Sequence, residues 1–465
     1  MNRPRRLPVL LAALVGVAIV GVVAGFVWGF VAHRSHVFPY GLLRTAVEGS
    51  KPPAPETPGR WRLRDGRRPW LYDDPDALTW EALQALGYAQ GSVLAPDASG
   101  VTVRTDRAYP GLNLVTSGHA PEAWLMDLDG EIIHRWETSW EAVFPDQGGD
   151  PPRPYFRRAR LLPDGSLLAM FVDRGAFRLG REGDVVWRYE GGVHHDLAVD
   201  GDSVWVLVRE PVVRPSLDAY KPMLDDGLVR LSLSTGEELQ RFSLWDAIAA
   251  SPYAPRLERV QPRLDQDPLH TNTVRVLDGR FAEQVPAFAK GNLLISMRHT
   301  DLVLVVDPRT QQVVWSWAGP WRQQHEPTLV EPGHLLIFDN MGAWPRSRVL
   351  EVDPRTQEVV WAYDGGRTPL VSETCGTAQR LPGGTTLAVA SDTGVAVEVD
   401  RDGAVVWSFV NPSRAGEQGE LIATLFQVER LWGEALGPWQ DRVKMPEHPA
   451  EVETTDDTDS PGLPR

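Results

Sequence analysis

Cysteine is nearly absent from this chain: Cys375 is the single one among 465 residues. An intrachain disulfide is therefore excluded, and so is a zinc site built from several thiolates. Basic residues are also in short supply, with 47 Lys and Arg against 62 Asp and Glu and a formal net charge of -15. A duplex nucleic-acid binder needs cations that displace counterions from the phosphates, so no nucleic-acid partner is expected. Part of the negative excess is local. The tail from Pro446 onward, residues 446–465, carries six carboxylates and little that could pack, and is expected to be disordered.

The N-terminus lacks charge altogether over one long stretch. From Leu7 to Ala32 the sequence LPVLLAALVGVAIVGVVAGFVWGFVA runs 26 residues without an ionisable group. As a helix it would be about 39 Å long, enough to cross a bilayer with some tilt. Arg3, Arg5 and Arg6 precede it, so the positive-inside rule predicts a cytoplasmic N-terminus and a periplasmic or extracellular body. The competing reading is a cleaved signal peptide, whose apolar core is usually only about 7–15 residues. We therefore expect a single-pass anchor over 1–33. Gly21, Gly25 and Gly29 form a face that could pair two such helices into a homodimer. Residues 34–107 read as a linker, with a stiff proline-rich spacer at Ser50–Arg60 and a short helix between Asp74 and Gly87.

A repeat organises the rest. Six segments share an apolar strand, a polar turn and a second strand ending in an aromatic: WLMDLDGEIIHRW (124–136), FRLGREGDVVWRY (177–189), LVRLSLSTGEELQRF (228–242), LVLVVDPRTQQVVWSW (302–317), RVLEVDPRTQEVVWAY (348–363) and AVEVDRDGAVVWSF (396–409). Each reads as a hairpin, and a further strand pair separates consecutive hairpins. The aromatics Trp136, Trp187, Phe242, Trp315, Trp361 and Trp407 recur every 46 to 73 residues. Four strands per unit at this period predict propeller blades. The expected fold is all-β, a six-bladed propeller over 108–412 behind the transmembrane helix, with a C-terminal extension over 413–445. Two long intervals, 209–227 and 243–268, read as loops that decorate one rim.

Rotational repetition makes residues of equal phase converge on the axis. His195, His270 and His325 each stand five to eight residues before the turn of the strand pair that opens a unit. Arg298 and His299 end the pair that His270 opens, and strand alternation lets only one of them face the axis easily. Imidazoles beside a guanidinium suit an anionic substrate, with nucleophile, acid and base available near neutral pH. Asn272 and Asn340 could add uncharged donors, while Asp196 and Glu326 could orient neighbouring rings. Trp321 and Trp344 could stack on an aryl group. His119, His134 and His334 fall outside the shared phase and read as structural or exposed. Two other readings remain open: a tethered propeller that binds a partner without catalysis, and a metal site made of His195, His270, His299 and His325.

The ordered motifs GLNLVTSGHAPEAWLMDLDGEIIHRW, HTNTV, ISMRHTDLVLVVD, VVWSWAG, QHEP, LLIFDNMG and SRVLEVD, from about Leu86 to Pro412, resemble the bacterial arylsulfotransferase family. The resemblance implies a six-bladed propeller that moves a sulfuryl group from an aryl sulfate donor to a phenolic acceptor, without a nucleotide donor, cofactor or metal. It implies that His325 is similar to the histidine that becomes transiently sulfated and Arg298 to the sulfate-binding arginine. His270 and Asn272 resemble the H-x-N pair beside that arginine, and His195 resembles the histidine of an earlier blade. His195 or His270 would then serve as acid and base, with His299 and Asn340 among the substrate-binding candidates.

Overall fold

Each of the six hairpins is the outer half of a four-stranded antiparallel unit in a computed structural model, which describes residues 60–63, 98–147, 155–260, 266–415, 419 and 421–444. Blade 2 runs outward through Ala159–Leu161, Leu167–Phe171, Gly175–Leu179 and Val185–Glu190. Blade 3 comprises Val193–Asp200, Ser203–Val213, Pro222–Ser232 and Glu238–Ser243; blade 4 comprises Thr271–Val276, Leu293–Met297, Leu302–Asp307 and Gln312–Trp317. Blade 5 follows with His325–Val330, His334–Ala343, Arg346–Val352 and Val359–Tyr363, and blade 6 with Thr377–Arg380, Thr386–Ala390, Val395–Val399 and Val405–Val410. The all-β six-bladed propeller expected from the repeat is the observed fold.

Burial explains the sequence pattern. The two middle strands of a blade are covered on both faces by neighbouring blades, so Leu167–Phe171, Leu293–Met297 and Leu302–Asp307 are buried throughout and read as mainly apolar runs, interrupted only by Ser296 and ended by Asp307. The outermost strands are covered on one face only and alternate, as in Val185–Glu190. All six outer hairpins also slip register by one residue just before the turn, for example between Arg178 and Leu179 and between Glu398 and Val399. The recurrent tryptophans tie blade to blade. The indole N–H groups of Trp187, Trp361 and Trp407 donate to Leu233, Arg401 and Leu128, carbonyls on the outer-hairpin turn of the next blade.

The ring closes with strands from outside 108–412. Leu425–Leu431 is the innermost strand of blade 1, paired with Leu112–Ser117 ahead of Glu122–Met126 and Ile132–Glu137. Gly100–Arg104 adds a fifth strand to blade 6, and Trp61–Leu63 joins Leu421–Ala423 and Arg414–Ala415 in a small sheet. Arg430 joins the two ends of the ring, buried with Glu398 of blade 6 at 3.1 Å and donating to Asn113 Oδ1 of blade 1 at 2.8 Å.

The first long interval is not a loop. Residues 203–213 and 222–232 pair in unbroken register from Ser203↔Ser232 to Val213↔Pro222, so the strand pattern continues past Pro211, each backbone satisfying the other. The second holds a helix, Leu244–Ala249, capped by the Ser243 hydroxyl accepting from the Asp246 amide, and a 3-10 turn at Ala254–Arg259. The apolar run 7–32, the glycine face, the helix expected at 74–87 and the acidic tail lie outside the described residues. Among the described residues, no helix is long and apolar enough to cross a membrane.

Candidate active site

The inner strands of blades 3, 4 and 5 begin irregularly. Their pairing slips between Val193 and Leu197, Thr271 and Thr273, and His325 and Thr328. His195, His270 and Glu326 carry left-handed φ values of 58, 51 and 54°. A bulge re-aims the side chains around it, and this is strain retained where three blades meet. The re-aimed rings converge: His195 and His270 lie 4.8 Å apart between centroids, and His270 and His299 lie 4.5 Å apart.

His325 is buried, and its tautomer follows from its neighbours. Asn340 donates from Nδ2 to the carbonyls of Ser372 and Cys375, both at 2.7 Å, which fixes the amide so that Oδ1 faces the imidazole. His325 Nδ1 lies 2.7 Å from that oxygen and must be the donor. Nε2 then holds the lone pair, buried and without a hydrogen-bond partner. Burial first, then the Arg298 charge, hold the pKa of His325 well below the ordinary histidine value, so the ring is neutral.

His270 has a different partner. Its Nδ1 lies 2.6 Å from Asp267 Oδ2, and its backbone N–H donates to Asp267 Oδ1. Burial lowers the histidine pKa while Asp267 opposes the shift. Although burial would raise Asp267, His270 and Arg209 pull it below the usual carboxylate range. His195 Nδ1 meets His194 Nδ1 at 2.7 Å, and His194 Nε2 stands 3.5 Å from Asp226 Oδ1. Burial, with Arg209, takes His194 down to about 3; burial, with Asp267, takes Asp226 up to about 7.

Arg298 and His299 both turn inward, contrary to the alternation expected of a strand. They lie on a 3-10 turn, Arg298–Thr300, where alternation does not apply. Arg298 donates to His299 Nε2 at 3.0 Å, and His299 Nδ1 donates to the Asp267 carbonyl at 2.6 Å. Both nitrogens of His299 are thus engaged. Asp267, His270 and His299 offer ligand atoms within 4.8 Å of one another, and His270 Nδ1 with Asp267 Oδ2 and His299 Nδ1 with the Asp267 carbonyl are hydrogen-bonded. Asn272 donates to the Gln324 carbonyl at 2.7 Å, fastening the residue before His325.

Asp196 and Glu326 orient guanidiniums rather than rings. Asp196 meets Arg158, Arg160 and Arg275, and Glu326 meets Arg158 at 2.7 Å and Arg275. Arg158, Arg160, Arg275 and Glu326 line an axial cavity of about 360 Å³ together with Arg380 and Glu429. Trp321 is buried, packed on Trp317 with its N–H given to the Asp301 carbonyl, so it offers no face to a ligand; Trp344 is exposed. His119 pairs with Glu122, His134 with the Arg181 carbonyl and His334 with Glu351, all away from the cluster.

Several site residues carried no signal in the repeat. Asp267 and Asp226 sit in or beside the long intervals, and His194 stands one residue from the shared phase. Arg157 did carry one: it stands eight residues before Gly165, as His325 stands eight before Gly333. Cys375 is buried beside Arg157 and Arg60; burial would raise its thiol, but the two guanidiniums bring it down to about 7.

A family model described as Arylsulfotransferase (ASST) matches residues 162–412. No curated protein matches the chain. Similar solved structures include a protein of unknown function from Bacteroides caccae, at 12% identity and TM-score 0.41, covering 64% of this chain and 93% of that one. BamB from Moraxella catarrhalis is similar at 11% identity and TM-score 0.31, covering 70% and 99%. The β-propeller domain of Cps50 (Swd1) from Myceliophteria thermophila is similar at 12% and 0.40, covering 70% and 95%.

Proposed function

The chain belongs to the arylsulfotransferase family, and on that premise we propose that it moves a sulfuryl group from an aryl sulfate ester to a phenol through a sulfohistidine at His325. The observation that carries this reading is the buried Nε2 lone pair, aimed by Asn340 and left without a partner. In the first step Nε2 attacks sulfur, the N–S bond forms, and the S–O(aryl) bond breaks with its electron pair leaving on the phenolate. His270 is neutral in the free protein; the anionic donor, together with Asp267, favours uptake of a solvent proton at its Nε2, and His270 gives that proton to the leaving oxygen. In the second step neutral His270 takes the proton of the acceptor phenol, the phenolate oxygen attacks sulfur, and the N–S bond breaks to restore His325. Arg298 holds sulfuryl oxygens as charge moves across them, and the protein acts mainly by positioning and electrostatics. His195, touching His270, completes the wall. The apolar run 7–32 would tether this domain to a membrane.

The reading is tested by giving the full chain a chromogenic aryl sulfate with and without a phenol. Wild type is expected to release the chromophore in an acceptor-dependent way, and His325→Ala to lose turnover. Brief exposure to donor alone should add ~80 Da to the peptide carrying His325, the covalent intermediate that a nucleophilic mechanism requires. Full turnover by His325→Ala, or an adduct on another residue, would overturn it.

A further inference from the structure

Three arginines are buried among the described residues, and two of them meet carboxylates: Arg158 meets Asp196 and Glu326, and Arg430 meets Glu398. Arg157 does not. Its NH1 approaches the Cys375 sulfur at 3.6 Å, its guanidinium lies over the Phe426 ring at 5.1 Å, and its buried Nε has no hydrogen-bond partner. Cys375 is the main group that offsets the burial of Arg157, and Arg60 shares the same thiol. A buried cation without a carboxylate of its own is costly, and a fold keeps one where a ligand completes the pair.

Position says which ligand. Arg157 precedes the inner strand of blade 2, at the same offset from its turn as His325 in blade 5. Its neighbour Cys375 accepts, through its carbonyl, the Asn340 amide that holds His325. After burial, the charge of Arg157 is the largest influence lowering His195, and it also lowers His325. Blade 2 thus sends a positive charge into the space that the histidines enclose.

Resting on the proposed sulfuryl transfer, we propose that Arg157 is a second guanidinium of the transfer site, which binds the sulfuryl oxygens together with Arg298. Its fork of N–H donors matches two oxygens of a sulfate at once. Arg298 approaches from blade 4 and Arg157 from blade 2, so the two bracket the anion while His325 attacks from blade 5. The phenyl face of Phe426 keeps the Arg157 guanidinium in place and dry, which strengthens its pull on the anion.

The test compares wild type, Arg157→Gln and Arg157→Lys as full chains. With an aryl sulfate donor, Arg157→Gln is expected to lower kcat/KM by about 100-fold, the range seen when one oxyanion donor is removed, and to lose competitive inhibition by inorganic sulfate. A kcat/KM and a sulfate inhibition constant within twofold of wild type would overturn the proposal. Should wild type turn over no aryl sulfate, the transfer reading fails, and Arg157 is judged by calorimetric titration with inorganic sulfate alone. Binding to wild type that weakens at least about tenfold in Arg157→Gln sustains it; equal binding, or none to wild type, overturns it. If Arg157→Gln does not fold, Arg157→Lys decides, since it keeps the charge and loses the fork. At least about fivefold weaker sulfate binding sustains the proposal, and wild-type affinity overturns it.

Discussion

Four histidines at this site, His194, His195, His270 and His325, have pKa values depressed first by burial, and that makes the site a burden at low pH. Unfolding returns each to about 6.5, so below that pH the unfolded chain binds protons that the folded chain refuses. Their contribution is complete above pH 6.5 and is lost as pH falls toward the folded values, about 3 for His194. Asp226 acts in the opposite sense. Held protonated up to about 7, it favours the folded state more as pH falls from 7 and offsets roughly one histidine. Stability should therefore fall below pH 6.5, by at most about 4 kcal/mol per pH unit at about 1.4 kcal/mol per uncompensated proton. Calorimetry between pH 7 and 5 checks it; a Tm that holds or rises on acidification contradicts the assignment. The sequence made His195, His270 and His325 legible because they share one phase. It did not reveal Asp267 or Asn340 as the groups that set their tautomers, since those partners come from an interval without repeat and from an adjacent strand.

At the scale of the element, the recurring aromatic proves to be a joint as well as a core residue. Trp187 leans on the next blade, where Gly236 occupies the turn at φ +74° and a Cβ there would lie 2.6 Å from the indole. Gly236→Ala combines a left-handed backbone with that overlap, so it should destabilise the domain by about 1–3 kcal/mol. Thermal unfolding would show a lowered Tm, with activity at low temperature intact because the turn lies on the outer rim. Middle strands were easy to find, since burial on both faces leaves mainly apolar residues. The hairpin around 213–222 was hidden by Pro211 and Pro222, which punctuate a strand in sequence yet are tolerated toward the end of a projecting pair.

For the whole molecule, closure matters most. A chain ending at Pro412 would contain every repeat that the sequence displays, yet it would lack Leu425–Leu431 and with it the inner strand of blade 1. It would also leave Glu398 buried without Arg430, a loss of about 3–5 kcal/mol for a broken buried pair. Added to an unpaired strand, this is comparable to the whole stability of a typical domain, about 5–15 kcal/mol. Such a truncation should show no near-ultraviolet circular dichroism and rapid proteolysis; a cooperative unfolding transition would refute the closure argument. LFQVERL escaped the repeat because its partner lies at the opposite end of the chain, where no local spacing links them.

That arrangement also sets a schedule. Leu112–Ser117 leaves the ribosome more than 300 residues before the strand that completes its sheet, a wait of roughly 15 to 60 s at ordinary rates of synthesis. Throughout that interval one strand presents an open edge, the kind of surface that pairs with other chains. The protein therefore acquires its first blade last, and whatever shields Leu112–Ser117 in the meantime governs how much of the chain ever becomes a ring.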